Sequence, residues 1–310
     1  MNVRFATRRN HAFIMRTWWT FATLMAVSLS VAPSFSPAAD TPNSSGDAGP
    51  FAAHNAYPYR LYAPKRFERA LNAGMKYIEL DITYDPEKKV AVVTHDAQPR
   101  GGEAELSTML DQLWSRWIDG PADDYTVILD FKISSPELVR SVQDLLTPHA
   151  KHLSKLRKQT GAAFEPNKIT VCLTGNKDAH RVFESAVAEG NDFLAFGDGG
   201  AGGWLEDPRD HVPNKKAGFV RFLTYHRSVF ADAPKARGEG HFSEERAREV
   251  MKKANAGNYR VRIYTLNPPR DDDGKRDFRA WQRCVNARVH MIATDNYPGA
   301  RAWWDAHRPR

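Results

Sequence analysis

The sequence contains little cysteine, and this scarcity narrows the class of protein. Only two of its 310 residues are cysteines, Cys172 and Cys284. Two thiols cannot supply the framework of a disulfide-rich domain. Cys172 lies in an apolar segment and Cys284 in one with helical periodicity, so two buried free thiols are favoured over a disulfide. The chain also lacks internal repeats, which argues against a repeat architecture.

Acidic residues are absent from the first 39 positions, which hold four arginines. The whole chain has a net charge of +7, and without those four arginines the charge falls to +3. A charge of +3 is weak evidence for a nucleic-acid partner, and no stripe of alternating aromatic and basic residues is present. We therefore expect no binding of nucleic acid.

The apolar run near the start, residues 17–32, is shorter than a typical membrane-spanning helix. It has 16 residues, whereas a spanning helix needs roughly 20. Basic residues precede the run and Ser36-Pro37-Ala38 follows it, which is the pattern of a cleaved secretory signal. The prediction is a signal peptide over 1–38, a polar linker over 39–50 and one domain over 51–310. The protein would then be exported, to the periplasm or beyond. An uncleaved anchor is the alternative.

After residue 50, apolar segments alternate with helix-period segments, which predicts a largely parallel sheet. Predicted helices cover 63–74, 104–119, 136–160, 177–189, 243–256 and 276–287, and Pro148 marks a candidate break in the long segment 136–160. Predicted strands cover 51–54, 77–83, 90–95, 126–132, 168–174, 193–197, 219–225, 259–266 and 289–294. The fold class is α/β, a distorted TIM (β/α)8 barrel. Nine predicted strands is one more than such a barrel needs, and the predictions of 193–197 and 219–225 rest on the weakest patterns. The segment 84–89 is too short for a helix, so one crossover helix is missing.

Ionisable residues fall on the first four of these strands or at their ends. The carboxyl ends of barrel strands meet at one mouth, so we expect these side chains to lie together. They are His54, Glu79, Asp81, His95, Asp130 and Lys132. Each alone has an ordinary structural explanation, such as a hydrogen-bonded histidine or an exposed edge. Four neighbouring strands with the same feature favour a site.

The chemistry of these residues predicts metal-assisted cleavage of a phosphodiester. Glu79, Asp81 and Asp130 would be costly to bury together without a counter-charge, and a divalent cation removes that cost. Oxygen ligands favour Mg²⁺ or Ca²⁺. His54 and His95 would act as general acid and base, in an order that the sequence leaves open. Lys132 would offset charge on the phosphate.

An ordered set of motifs resembles the glycerophosphodiester phosphodiesterase and phosphatidylinositol-phospholipase-C-like superfamily. The resemblance covers nearly all of residues 51–300, and it implies a distorted barrel of the PLC-like phosphodiesterase type. The motifs are Ala53-His54-Asn55, the helix at 67–74, Ile78-Glu79-Leu80-Asp81-Ile82, Val92-Val93-Thr94-His95-Asp96, Ile128-Leu129-Asp130-Phe131-Lys132, Tyr264-Thr265-Leu266-Asn267 and Ile292-Ala293-Thr294-Asp295-Asn296-Tyr297-Pro298.

The chain departs from the best-known members at Asn55, where an arginine usually follows the first histidine. The His-Asn opening, together with the segments 171–176 and 196–199, is similar to the altered-inheritance-of-mitochondria-type subgroup. Further residues at strand ends are expected to bind substrate. The complete substrate-binding set is Asn55, Lys132, Asn176, Asp198 and His226.

The expected activity is hydrolysis of a glycerophosphodiester-like substrate with one divalent cation, Mg²⁺ or Ca²⁺. The first alternative is a phospholipase that acts on an intact phospholipid or phosphoinositide with peripheral membrane contact. Exposed aromatics would support it: Tyr57, Tyr59, Tyr62, Trp204, Trp303 and Trp304. The second alternative is a barrel that binds a phosphate ester without cleaving it. A monomer is expected.

Overall fold

The structure is a computed structural model that describes residues 48–58, 65–199, 207–231, 242–268 and 277–308. The predicted signal peptide and most of the linker lie outside these ranges. The helices are α1 (Arg66–Asn72), α2 (Leu106–Trp117), α3 (Pro136–Leu146), α4 (Lys177–Ala186), α5 (Glu244–Gly257), α6 (Arg279–Asn286) and α7 (Tyr297–His307). The strands are β1 (Phe51–Ala53), β2 (Tyr77–Asp85), β3 (Val90–Val93), β4 (Ala104–Glu105), β5 (Tyr125–Phe131), β6 (Lys155–Arg157), β7 (Phe164–Glu165), β8 (Ile169–Gly175), β9 (Asp192–Phe193), β10 (Phe196–Asp198), β11 (Val220–His226), β12 (Arg260–Tyr264) and β13 (Met291–Thr294).

Eight parallel strands close into a barrel. In order around the ring they are β1, β2, β5, β8, β10, β11, β12 and β13, and β1 closes the ring by pairing with both β13 and β2. Strands such as β5 and β8 are buried along nearly their whole length. Such strands are covered on both faces, by the barrel interior and by the helices outside. The predicted distorted (β/α)8 barrel is confirmed.

The extra predicted strand is the segment 90–95, which is not part of the barrel wall. Residues 90–93 form β3, which pairs antiparallel with β2. Only four residues separate β2 from β3, and such a short connection permits only an antiparallel return. The crossover from β2 to β5 is made by α2, after this hairpin. The two weakest predicted strands, 193–197 and 219–225, overlap β10 and β11 and both belong to the barrel.

The predicted helices differ from the structure in two places. The segment 136–160 ends its α-helix at Leu146, continues as a 3₁₀ turn through His152 and enters β6. Pro148 accounts for the break, because it has no N–H to donate. The helix α7 was not predicted. The described part of the connection between β10 and β11, residues 207–219, contains no helix.

Aromatic packing fixes β1 against the last two helices. The ring of Phe51 lies 4.8 Å from that of Trp281 and 5.7 Å from that of Trp303, both edge-on. Trp303 is therefore a core residue, as is Tyr57, and neither is exposed as the phospholipase alternative required. Cys172 and Cys284 are free and buried, as predicted. No helix in the described ranges has the length and apolar character of a transmembrane span.

Candidate active site

The register of three adjacent strands brings polar side chains into one layer of the barrel. Asp81 on β2 lies opposite Asp130 on β5, and Asp130 lies opposite Thr174 on β8. Side chains two residues apart on a strand point the same way, so Glu79 shares the inner face with Asp81. These positions lie towards the carboxyl ends of the strands, as the sequence predicts for the mouth of the barrel.

The three acids predicted to bind metal form a compact group. Glu79, Asp81 and Asp130 each offer one carboxylate oxygen, and these oxygens lie within 4.8 Å of one another. Ca²⁺ binds oxygens at about 2.4 Å, so opposite ligands of one ion lie about 4.8 Å apart. For Mg²⁺ the corresponding separation is about 4.2 Å. The hard oxygen donors and their spacing fit a divalent cation of this kind.

Lys132 already supplies counter-charge to two of these acids. Its Nζ lies 2.8 Å from Asp81 and 3.0 Å from Asp130. Burial lowers the pKa of Lys132, but the charges of Asp130 and Asp81 and its hydrogen bonds to them outweigh burial, and the net pKa is raised. The ammonium is therefore charged at neutral pH. Lys132 therefore offsets part of the acidic charge for which the sequence predicted a divalent cation.

Arg262, which the sequence reasoning missed, supplies counter-charge to the third acid. It lies on β12 with only 2% of its surface exposed, and its Nη2 is 2.5 Å from Oε2 of Glu79. The contact is a close ion pair between two buried side chains, and Nε of Arg262 has no acceptor. The sequence did contain a clue to this role, because Arg262 stands between the apolar residues Val261 and Ile263. A charged residue in such a barrel strand must face a polar interior.

His54 is held at the end of β1 by contacts from Arg66 and from two residues near the far end of the chain, Asp295 and Tyr297. Its backbone carbonyl accepts hydrogen bonds from Tyr297 Oη at 2.5 Å and from Arg66 Nη2 at 3.1 Å. Its ring Nδ1 lies 3.3 Å from Asp295, which is also paired with Arg66. These contacts orient the imidazole so that Nε2 lies 3.8 Å from Glu79.

The charges around His54 favour its protonated form. Burial lowers the pKa of His54, but the negative charge of Glu79 and the hydrogen bond to Asp295 outweigh it, and the pKa is raised. Asp295 has its own pKa lowered to about 2, because hydrogen bonds from His54 and Asn267 and the charges of His54 and Arg66 outweigh the effect of burial. A histidine so placed can hold a proton near neutral pH.

His95 reaches the site from the hairpin rather than from the barrel wall. Its Nδ1 lies 2.6 Å from Oδ2 of Asp81, and about half of its side chain is exposed. The hydroxyl of Tyr57 donates to the same oxygen at 2.7 Å. Burial and the charge of Asp81 raise the pKa of Tyr57, so its hydroxyl stays protonated as a donor. Asp81 thus orients His95 while its own position is fixed by Tyr57.

Four of the five predicted substrate-binding residues line the same cavity, which has a volume of about 570 Å³. They are Asn55, Lys132, Asp198 and His226. The fifth, Asn176, is not among the lining residues, and its side chain instead caps the start of α4 by accepting from Asp178 and Ala179. The cavity also contains polar residues that were not predicted, Thr174, Lys177 and Thr224.

Asn55 lies beside both the first histidine and the metal candidate Glu79. Its φ of 51° places it in the left-handed region, which asparagine tolerates better than most residues. This conformation directs its backbone N–H towards Glu79 Oε2 at 3.4 Å, while its side-chain amide lies 3.2 Å from His54 Nδ1. Asn55 therefore contacts the groups that hold the site together as well as lining the cavity.

Neither the family models nor the sequences of curated proteins match this chain. Solved structures do resemble it. A Ca²⁺-dependent phosphatidylinositol-specific phospholipase C from Streptomyces antibioticus is 13% identical, with a TM-score of 0.50 over 81% of this chain and 94% of that one. A glycerophosphodiester phosphodiesterase from Thermotoga maritima is also 13% identical, with a TM-score of 0.47 over 84% of this chain and 98% of that one.

A phosphatidylinositol-specific phospholipase C from Listeria monocytogenes is 10% identical, with a TM-score of 0.42 over 82% of this chain and 92% of that one. At such identities the likeness to these proteins is one of fold. The likeness therefore supports the barrel fold, and membership of the superfamily that the motifs resemble stays a prediction. The subgroup suggested by the His-Asn opening stays a prediction.

Proposed function

We propose that this protein is a metal-dependent phosphodiesterase that cleaves a glycerophosphodiester-like substrate. One observation carries the proposal: one open cavity is lined by His54, His95, Glu79, Asp81, Asp130 and Lys132. His54 lies against Glu79, and His95 lies against Asp81. Two separately oriented imidazoles at one acidic cluster are what cleavage of a diester needs, because one group must accept a proton and another must donate one.

Each of these side chains has a separate role in the proposed reaction. One of His54 and His95 takes the proton of the attacking hydroxyl, and the other protonates the departing alkoxide. Lys132 holds Asp81 and Asp130 in place and offsets negative charge that develops on the phosphate. Glu79, Asp81 and Asp130 would hold the cation. When bound, that cation would polarise a phosphoryl oxygen.

The likeness in fold to a phosphatidylinositol-specific phospholipase C supports a second candidate substrate, an intact phospholipid or phosphoinositide. The aromatic residues support this substrate less than the sequence suggests. Tyr57 and Trp303 are buried, while Tyr59, Tyr62 and Trp204 lie outside the described residues. A barrel that binds a phosphate ester without turnover is the second alternative. The complete set of His54, Glu79, Asp81 and His95 argues for catalysis.

The test measures hydrolysis of bis(p-nitrophenyl) phosphate, of glycerophosphodiesters with different head groups and of phospholipid vesicles, with Ca²⁺ or Mg²⁺. His54→Gln and His95→Gln should each lower kcat by at least about 100-fold. His152→Gln is the matched control, because His152 lies in the 3₁₀ turn and does not line the cavity. Undiminished turnover in either site variant would refute the two-histidine scheme.

We further propose that the mature protein is exported as a monomer and begins after residue 38. The arginines and the apolar run before that position support export. Mass spectrometry of the protein recovered from the periplasm or medium would define its first residue. Retention of residues 1–38 in the membrane fraction would favour the anchor instead. Light scattering of the purified protein would test the monomer.

A further inference from the structure

Arg262 is the buried cation of the candidate site, and its donors are only partly used. It is 2% exposed, its Nη2 faces Glu79 at 2.5 Å, and its Nε has no hydrogen-bond acceptor. Directly opposite it on β11 lies Thr224, whose hydroxyl is also buried without a partner. Buried donors that lack acceptors are costly.

Glu79 is also the residue that a divalent cation would need. Its Oε2 already receives Arg262, with the backbone N–H of Asn55 at 3.4 Å and His54 Nε2 at 3.8 Å. The oxygens of Glu79, Asp81 and Asp130 lie within 4.8 Å of one another. A cation placed among them would thus sit close to the guanidinium. Two positive charges so close repel each other strongly where water is excluded.

We propose that Arg262 is a resident counter-ion of Glu79 that competes with the divalent cation and so sets the metal affinity of the site. The inference rests on the metal site of the proposed function. Without metal, Arg262 neutralises Glu79 and Lys132 neutralises Asp81 and Asp130, so the barrel folds without an ion. On metal binding, Glu79 exchanges Arg262 for the cation. Arg262 acts through Glu79 and is therefore a positioning residue.

The surroundings of Arg262 permit such an exchange. Its guanidinium carbon lies 5.6 Å from the centre of the Tyr264 ring, which offers a second favourable contact for the cation. The contact with Glu79 at 2.5 Å is direct, so a cation that displaces Arg262 must replace this charge contact with its own.

The test measures binding of Ca²⁺ and Mg²⁺ alone, by calorimetry and by the metal-induced rise in Tm. Arg262→Gln removes the charge but keeps a donor for Glu79, and it should bind metal at least about tenfold more tightly than the wild type. Arg262→Lys keeps the charge and should stay within about threefold of it. Arg260→Gln is the matched control, since Arg260 lies on the same strand but pairs with Asp124 and Tyr77; its metal affinity should not change.

Unchanged or weaker metal binding by Arg262→Gln, or no binding by either it or the wild type, would overturn the proposal. If Arg262→Gln does not fold in chelator, it is refolded with excess Ca²⁺. Recovery of the native circular dichroism spectrum supports the competition, whereas failure to recover refutes it. These measurements use no substrate, so an absence of phosphodiesterase activity would count against the proposed function and leave this result standing.

Discussion

His95 Nδ1 lies 2.6 Å from Asp81 Oδ2, although His95 follows a strand that lies outside the barrel wall. The antiparallel hairpin carries the second histidine back over the carboxyl end of β2. Asp81 is therefore the point at which the hairpin, Tyr57 and Lys132 converge.

Asp81→Asn should lower kcat by at least about 100-fold, because the amide cannot orient His95 as a charged acceptor and cannot replace a carboxylate ligand. Steady-state kinetics on a soluble phosphodiester measure the effect. Asp85→Asn is the control, a buried carboxylate on the same strand that accepts from the N–H groups of Glu87 and Lys88 and does not line the site cavity. Equal losses in the two variants would show a general effect of β2 on stability.

Removal of divalent metal should abolish hydrolysis while the fold persists. Lys132 and Arg262 offset the acids without an ion, so the circular dichroism spectrum in chelator should match that of the untreated protein. Added Ca²⁺ or Mg²⁺ at 100 times its dissociation constant should raise the free energy of unfolding by about 2.7 kcal/mol. Asp130→Asn should reduce this gain, and an undiminished gain would remove Asp130 from the ligand set.

Lys132→Met should destabilise the protein by about 3 kcal/mol, because it leaves Asp81 and Asp130 without their shared cation. Urea unfolding in chelator measures the change. Lys177→Met is the matched control, since Lys177 is half exposed and lies 3.5 Å from Asp198, and it should cost less than about 1 kcal/mol. A similar cost for both lysines would mean that burial does not govern the contribution of these ion pairs.

His290 should make the protein less stable in acid. Burial and then the charge of Arg260 lower its pKa to about 4, and its Nδ1 accepts the N–H of Val261 at 3.0 Å. The unfolded chain binds this proton near pH 6.5, so the contribution is complete above that pH and is lost as pH falls towards 4. The loss should reach about 3 kcal/mol.

The measurement is the free energy of unfolding by urea between pH 4 and 7. His290→Gln is the test variant, because its amide oxygen can accept from Val261 but does not titrate. Its free energy of unfolding should fall less steeply with pH than that of the wild type. Parallel pH profiles for the two proteins would show that His290 does not carry the effect.

The alternation of apolar and helical segments was enough to predict a closed barrel, because parallel strands covered on both faces must be apolar along their length. Residues 90–95 have the same composition as a strand of the barrel wall. Their composition therefore did not show that they form one arm of a hairpin with β2. The order of the segments was right, and the error lay in how one of them pairs. Pairing depends on the length of a connection and on its geometry, which local composition does not encode.

The candidate site also combines features that are visible in the sequence with contacts that are not. The positions of His54, Glu79, Asp81, His95, Asp130 and Lys132 on strands or at their ends can be read from the chain, and a barrel requires the carboxyl ends of its strands to meet. What neutralises the acids depends on the folded arrangement. Arg262 is 183 residues away from Glu79 along the chain, and Asp295 is 241 away from His54. Such contacts arise when β12 and β13 close the ring onto β1 and β2, and no local pattern in the chain specifies them.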